Sequence, residues 1–255
     1  MNYETLLPVL AVIVIATYFQ TVTGFGLGMI VMGVSSGLAL AAPPLVANVL
    51  SLVTLVNCAT ALPGKLHHID WPAMRAVLLG VAPSVIVGVL LLNYLNATAS
   101  TALQFLLGVV VMSSGVLFTV RREHQAKRSG NSSFFFSGLL SGLMGGLFGV
   151  AGPPVIFQYY RQPMEMVTVR SSLIMVFGVS STIRTVFVGT QGGLTTMVWW
   201  LAGGALVLGA LATVAGRRYP PPLKHAAMQR IGFGALIVIG AGLIATATRA
   251  WLDKL

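Results

Sequence analysis

Charge is what this sequence has least of. Of its 255 residues only 8% are charged, while 56% are hydrophobic. A soluble domain carries about a quarter charged residues. So little charge cannot make a water-facing surface, and lipid must cover most of the protein. Acids are the scarcest group: Glu4, Asp70, Glu123, Glu165 and Asp253 stand against fifteen Lys and Arg. All five lie outside the apolar runs or at their ends. Paired carboxylates for hydrolysis, an intramembrane metal cluster and a proton relay on buried acids are therefore disfavoured, so neither an enzyme nor a cofactor is expected. Cys58 is the only cysteine, which excludes an intramolecular disulfide and a cysteine-based metal site. The N-terminus, Met1-Asn2-Tyr3-Glu4, lacks a basic stretch, so no cleaved signal peptide is expected.

The net charge of +10 invites a nucleic-acid reading. The basic residues, however, sit in short loops between apolar runs, which is how Lys and Arg mark the cytoplasmic face of a membrane protein. The expected partner is the lipid bilayer of a cell membrane, the bacterial inner membrane, crossed several times, and not a nucleic acid.

What is present is apolar length. Eight runs stand out, at 6–42, 45–62, 73–92, 102–120, 134–160, 171–188, 197–216 and 231–248. Most have the length of one helical span. Two are too long. The run 6–42 would be about 55 Å as a straight helix, against a hydrocarbon core of about 30 Å. Each overlong run carries a glycine-rich interruption, Thr23-Gly24-Phe25-Gly26-Leu27-Gly28 in one and Gly149-Val150-Ala151-Gly152-Pro153-Pro154 in the other. Glycine permits unusual backbone angles and proline removes a donor, so both runs read as broken helices.

The breaks lie about 125 residues apart, and that offset also carries Ile69-Asp70-Trp71 onto Leu194-Thr195-Thr196. The spacing implies a tandem duplication, with halves 1–125 and 126–255 joined by the basic linker 121–133. If each broken run folds as a hairpin, each half has five segments and the second half is inverted. Twelve basic residues then fall on one side, in the loops holding Lys65 and Arg75, Arg121 to Arg128, Arg161 and Arg170, and Arg217 to Arg230. Only Arg249 and Lys254 fall on the other. A parallel eight-span arrangement scatters this charge, so the positive-inside pattern favours inversion with both termini outside. The expected fold is all-α: a polytopic integral membrane protein of two homologous halves, each a broken first helix plus three spanning helices, related as inverted repeats.

Inverted repeats with interrupted helices are a recurrent transporter plan. The start of a helix offers free N–H groups and a positive dipole end, which attract anions. The candidate substrate-binding residues are therefore those of the breaks, Gly24, Phe25, Gly26 and Gly28 with Gly149, Gly152, Pro153 and Pro154. Gln20 and Gln158 flank the breaks, and Ser180 and Ser181 are polar groups within an apolar run. Arg170 opens the sixth run, and its planar guanidinium suits sulfonate or carboxylate oxygens. Arg184 lies near the end of the same run and is expected to snorkel. Gly138, Gly142 and Gly146 form a stripe expected to make a helix contact. His67 and His68, beside Asp70, read as a solvated loop, because adjacent residues do not share a helix face.

Gly145-Gly146-Leu147-Phe148-Gly149-Val150-Ala151-Gly152-Pro153-Pro154 resembles the glycine-rich motif of the TauE/SafE family of sulfite and organosulfonate exporters. Arg170-Ser171-Ser172-Leu173 and Ser180-Ser181 resemble a downstream pattern of one branch, with Ser181 in place of its usual Asn. Thr23 to Gly28 resembles the partner motif of the first half, interrupted by Leu27, and Ile69-Asp70-Trp71 resembles a family loop motif. The resemblance covers the whole chain and implies a secondary transporter exporting a small anion by alternating access at the repeat interface. Uptake of a small carboxylate or sulfur compound, a non-transporting membrane scaffold and a homo-oligomer stay open.

Overall fold

The computed structural model describes residues 3–23, 26–119, 125–219 and 225–253. All regular structure among them is helical. Before the linker come α1 (Tyr3–Thr23), α2 (Leu27–Gly37), α3 (Pro43–Ala61), α4 (Trp71–Thr98) and α5 (Ser100–Thr119), with one 3-10 turn at Leu66–His68. After it come α6 (Asn131–Phe148), α7 (Pro153–Tyr160), α8 (Met166–Thr190), α9 (Thr196–Arg218) and α10 (His225–Leu252). Six of these are long and apolar enough to cross a membrane, namely α3, α4 and α5, then α8, α9 and α10. Three thus stand on each side of the linker.

Both overlong runs are broken, as their glycines require. The second legs are short, though. With 11 residues α2 is about 16 Å long, and with 8 residues α7 is about 12 Å. Neither crosses a core of about 30 Å. Each hairpin pairs a long leg with a half-length one.

Hydroxyls inside these apolar helices mostly bond within their own helix. Thr17 donates to the Ile13 carbonyl at 2.7 Å, Ser114 to Val110 at 2.5 Å and Thr182 to Gly178 at 2.8 Å. In lipid this back-bonding replaces the water a surface hydroxyl would use. Pro83 sits inside α4, and the next residue, Ser84, donates to the Gly80 carbonyl at 2.7 Å.

The chain packs as two compact units that cut across the sequence halves. One comprises 1–49, 94–120 and 195–255; the other comprises 50–93 and 121–194. In the first, α5 and α10 make the most extensive contact and run antiparallel. A methyl group on Gly108 would meet the Gly240 carbonyl, and one on Gly115 the Phe233 carbonyl, both under 3 Å. Only glycine lets the two backbones come this close. In the same unit α1 and α9 run parallel, with Leu10 against Gly204, Thr17 against Gly209 and Thr21 against Thr213 and Gly216.

In the second unit α4 and α6 run parallel and pack closely. Gly138, Gly142 and Gly146 lie on Val77, Val81 and Val85, one helical turn per step. Gly80 and Gly88 of α4 complete the seam from the other side. The glycine stripe is the helix contact its spacing suggests. The core beside it gathers Phe134, Val155, Tyr159, Leu173 and Val176 on the buried face of α4. At one end of this unit Asp70 caps α4 through the Ala73 N–H at 3.2 Å and accepts from Arg128 Nε at 2.9 Å.

Candidate functional site

The first break lies in the first unit. Gly24 and Phe25 lie outside the described residues. Gly26 is buried with φ +104°, a left-handed conformation that glycine alone adopts without strain, and it caps α2. Leu27, Gly28 and Met29 form the first turn of α2, and none is a proline, so each carries an amide N–H. Gln20 is half-buried in the last turn of α1.

The second break lies in the second unit and has a different inventory of donors. Gly149 ends α6 in the left-handed region at φ +69°, its N–H on the Gly145 carbonyl at 2.9 Å. Gly152 then precedes Pro153 and Pro154, the first two residues of α7, which have no N–H. The third N–H, of Val155, is taken by the Ser141 hydroxyl at 2.9 Å, and that of Ile156 by the Gly152 carbonyl at 3.0 Å. The anion-attracting helix start expected here is therefore absent from α7: two donors are missing and the next two are used. Sequence reasoning missed Ser141; its place beside the small-residue stripe, three residues after Gly138 and directly before Gly142, is the signal that could have found it.

The side chains around this break carry the polarity. Gln158 is only 4% exposed, and among the described residues its amide nitrogen has no hydrogen-bond partner. Ser180 and Ser181 are buried on α8, and Ser180 Oγ and Ala151 both border Gly145. Arg170 does not join them. It is exposed in the second turn of α8, about 21 Å along the helix from Arg184.

Arg184 overturns its expectation. It does not snorkel but is 1% exposed. Its Nε donates to the Gly146 carbonyl at 3.1 Å and its Nη1 to Ser51 Oγ of α3 at 3.2 Å. Gly146 is among the last residues of α6, whose final carbonyls have no partner in the helix, and a cation there is favoured by the dipole. A charged side chain at the centre of a membrane helix costs about 2.5–3.5 kcal/mol on insertion scales. Each hydrogen bond from a charged group returns about 1.5–3 kcal/mol. The two contacts shown are of the size needed to offset that cost, and they hold the guanidinium against the last turn of α6. Burial of this kind could not be read from one sequence, because it depends on Ser51, 133 positions away.

Elsewhere the loop histidines lie in tilted contact, ring centres 3.9 Å apart, while Asp70 is engaged by Arg128. Arg161 holds the Gln125 N–H on its carbonyl at 2.9 Å and lies over the Phe157 ring.

A family model described as sulfite exporter TauE/SafE matches residues 9–243. The chain belongs to the TauE/SafE family. That is a family of transporters, not of enzymes. The chain is 53% identical over 255 residues to the probable sulfite/organosulfonate exporter TauE of Cupriavidus necator, covering 99% of this chain and 100% of the relative. It is 31% identical over 207 residues to the probable inner membrane transporter protein TsaS of Comamonas testosteroni, covering 76% of this chain and 81% of that one. No solved structure matches. In this chain the buried polar side chains at the second break include Arg184 and Gln158, while two of the first backbone donors of α7 are missing.

Proposed function

We propose that this protein is a secondary transporter of the bacterial inner membrane that exports a small sulfur oxyanion, sulfite or an organosulfonate. The observation that carries the reading is likeness over the full length of a relative named as such an exporter. Two interrupted helices in an all-helical apolar chain support it, because irregular backbone at membrane depth is tolerated where protein or a water-filled path covers it.

Inverted repeats fit the same reading. A shift of 125 residues takes the pair Thr21 and Thr213 onto Gly146 and Gly88, and the pair Thr17 and Gly209 onto Gly142 and Ser84. Both members of each exchange are contacts within their own unit. The same shift turns the Gly108–Gly240 contact into Phe233–Gly115, which is also made. Exchange of the halves thus carries each of these contacts onto another contact. Antiparallel pairing of α5 with α10, its repeat mate, is what inversion requires. Halves of 1–125 and 126–255, and alternating access between them, follow as parts of the proposal. Gln20, Gly26 and Gly28 at the first break, and Gly149, Gly152, Gln158, Ser180 and Ser181 at the second, are the proposed path residues.

An anion leaving the cell gains about 2.3 kcal/mol per charge for every 100 mV of inside-negative potential. Export therefore needs no proton coupling, and the chain's five acids all lie outside the apolar runs or at their ends. Purified protein in liposomes should release labelled sulfite or methanesulfonate faster than protein-free vesicles, while small carboxylates should not compete. Flux of carboxylates with none of the sulfur anions would replace the proposed substrate class.

A further inference from the structure

The buried arginine of α8 is assigned no role by likeness or motif. Its guanidinium lies at the C-terminal end of α6, three residues before Gly149 opens the break. Ser180, one helical turn earlier on the same face of α8, meets that end of α6 at Gly145. A guanidinium and a hydroxyl thus stand one turn apart at the break, on a rigid 25-residue helix. The prolines of α7 and the Ser141 cap remove backbone donors from the same place. Arg184 is therefore the fixed source of positive potential there, held by a carbonyl on one helix and a hydroxyl on another.

An ionisable residue within a membrane helix is costly and is by default a candidate for the functional site. Capping α6 could be done by a hydroxyl without bringing a charge into the helix. We propose that Arg184 is the residue that contacts the oxygens of the transported anion, with Ser180 as a second donor and Ser51 as the residue that positions the guanidinium. The inference rests on the export reading above and deepens it. The fork of N–H groups matches the two or three equivalent oxygens of a sulfite or sulfonate, a fit that a lysine ammonium cannot reproduce.

The test is ligand-induced thermal stabilisation of the purified full chain in detergent, titrated with sodium sulfite and, separately, sodium methanesulfonate, with sodium chloride at equal ionic strength as the blank. The wild-type protein should be stabilised by at least one of the two. Arg184→Lys should need at least tenfold more anion for the same shift, and Arg184→Gln should not respond. Lys65→Gln, a change in an exposed loop, should respond like the wild type. Responses of both Arg184 variants at wild-type concentrations would leave Arg184 a cap of α6 and overturn the inference with the export reading intact. A wild-type protein stabilised by neither anion would instead remove the export reading, and this inference with it. Should the Arg184 variants not fold, Ser51→Ala and Ser180→Ala decide, since both keep the guanidinium. Each should weaken binding severalfold, and wild-type titrations in both would overturn the assignment.

Discussion

The two breaks look alike in sequence and differ in chemistry. Both are glycine-rich, and both place a glycine with positive φ where one helix stops or the next begins, Gly26 in one and Gly149 in the other. The first leads into Leu27-Gly28-Met29, a helix start with three amide N–H groups. The second leads into Pro153-Pro154, a helix start with none in its first two positions and a third capped by Ser141. A glycine-rich break is thus not by itself an anion site. What matters is which groups surround it, and at the second break the buried polar groups shown are side chains, Gln158, Ser180 and Arg184.

The comparison can be broken most sharply at Arg184. Neutralising it in Arg184→Gln should lower sulfite or sulfonate flux in proteoliposomes by at least tenfold, while the same change at exposed Arg170 should lower it less than twofold. A larger loss at Arg170 would move the anion contact to the other end of α8. Next in size is the seam beneath the second break. Gly142→Val places branched carbons against the Val81 backbone and Ser84, and overpacking of this kind costs about 1–3 kcal/mol or more. It should lower the melting temperature, whereas Gly203→Val, with open space around it, should leave it unchanged. Equal melting temperatures for the two would dissolve the seam.

Ser141→Ala removes the cap on Val155 and should cost about 1 kcal/mol, readable in denaturant or thermal unfolding. Because it frees an N–H at the second break, it also sharpens the contrast: anion affinity should hold or rise slightly. A tenfold loss of affinity would make Ser141 itself an anion contact. Effects of similar size, on stability alone, belong to the turns. Gly26→Ala and Gly149→Ala each force a methyl into left-handed backbone, at about 1–2 kcal/mol. Gly26, at φ +104° against +69°, should be the costlier of the two.

Much of the fold was legible in the sequence, because apolar length and glycine placement are local signals. The charge deficit required lipid, the overlong runs had to break, and the stripe at Gly138, Gly142 and Gly146 had to meet another backbone. How far the second hairpin legs reach was not legible, because run length counts loop residues as helix: the apolar stretch from Gly26 to Ala42 holds only the 11 residues of α2 as helix before the turn into α3. Of the candidate site, the burial of Ser180, Ser181 and Gln158 agreed with their place in apolar runs. By sequence Arg170 reads as the site arginine and Arg184 as a snorkelling one; both are arginines near the ends of one run, and only packing against Ser51 and Gly146 reveals the burial of Arg184. The loss of donors at Pro153 and Pro154 was readable from residue type alone, but the capture of Val155 by Ser141 needed the fold.

Electrogenic export of a sulfur oxyanion is the central claim, and potential-driven flux tests it most directly. Proteoliposomes loaded with labelled methanesulfonate, at equal pH inside and out, are given a potassium diffusion potential of either sign. An inside-negative potential should accelerate release and an inside-positive one should slow it. Flux indifferent to the potential, or flux only under an imposed pH gradient, would contradict the account.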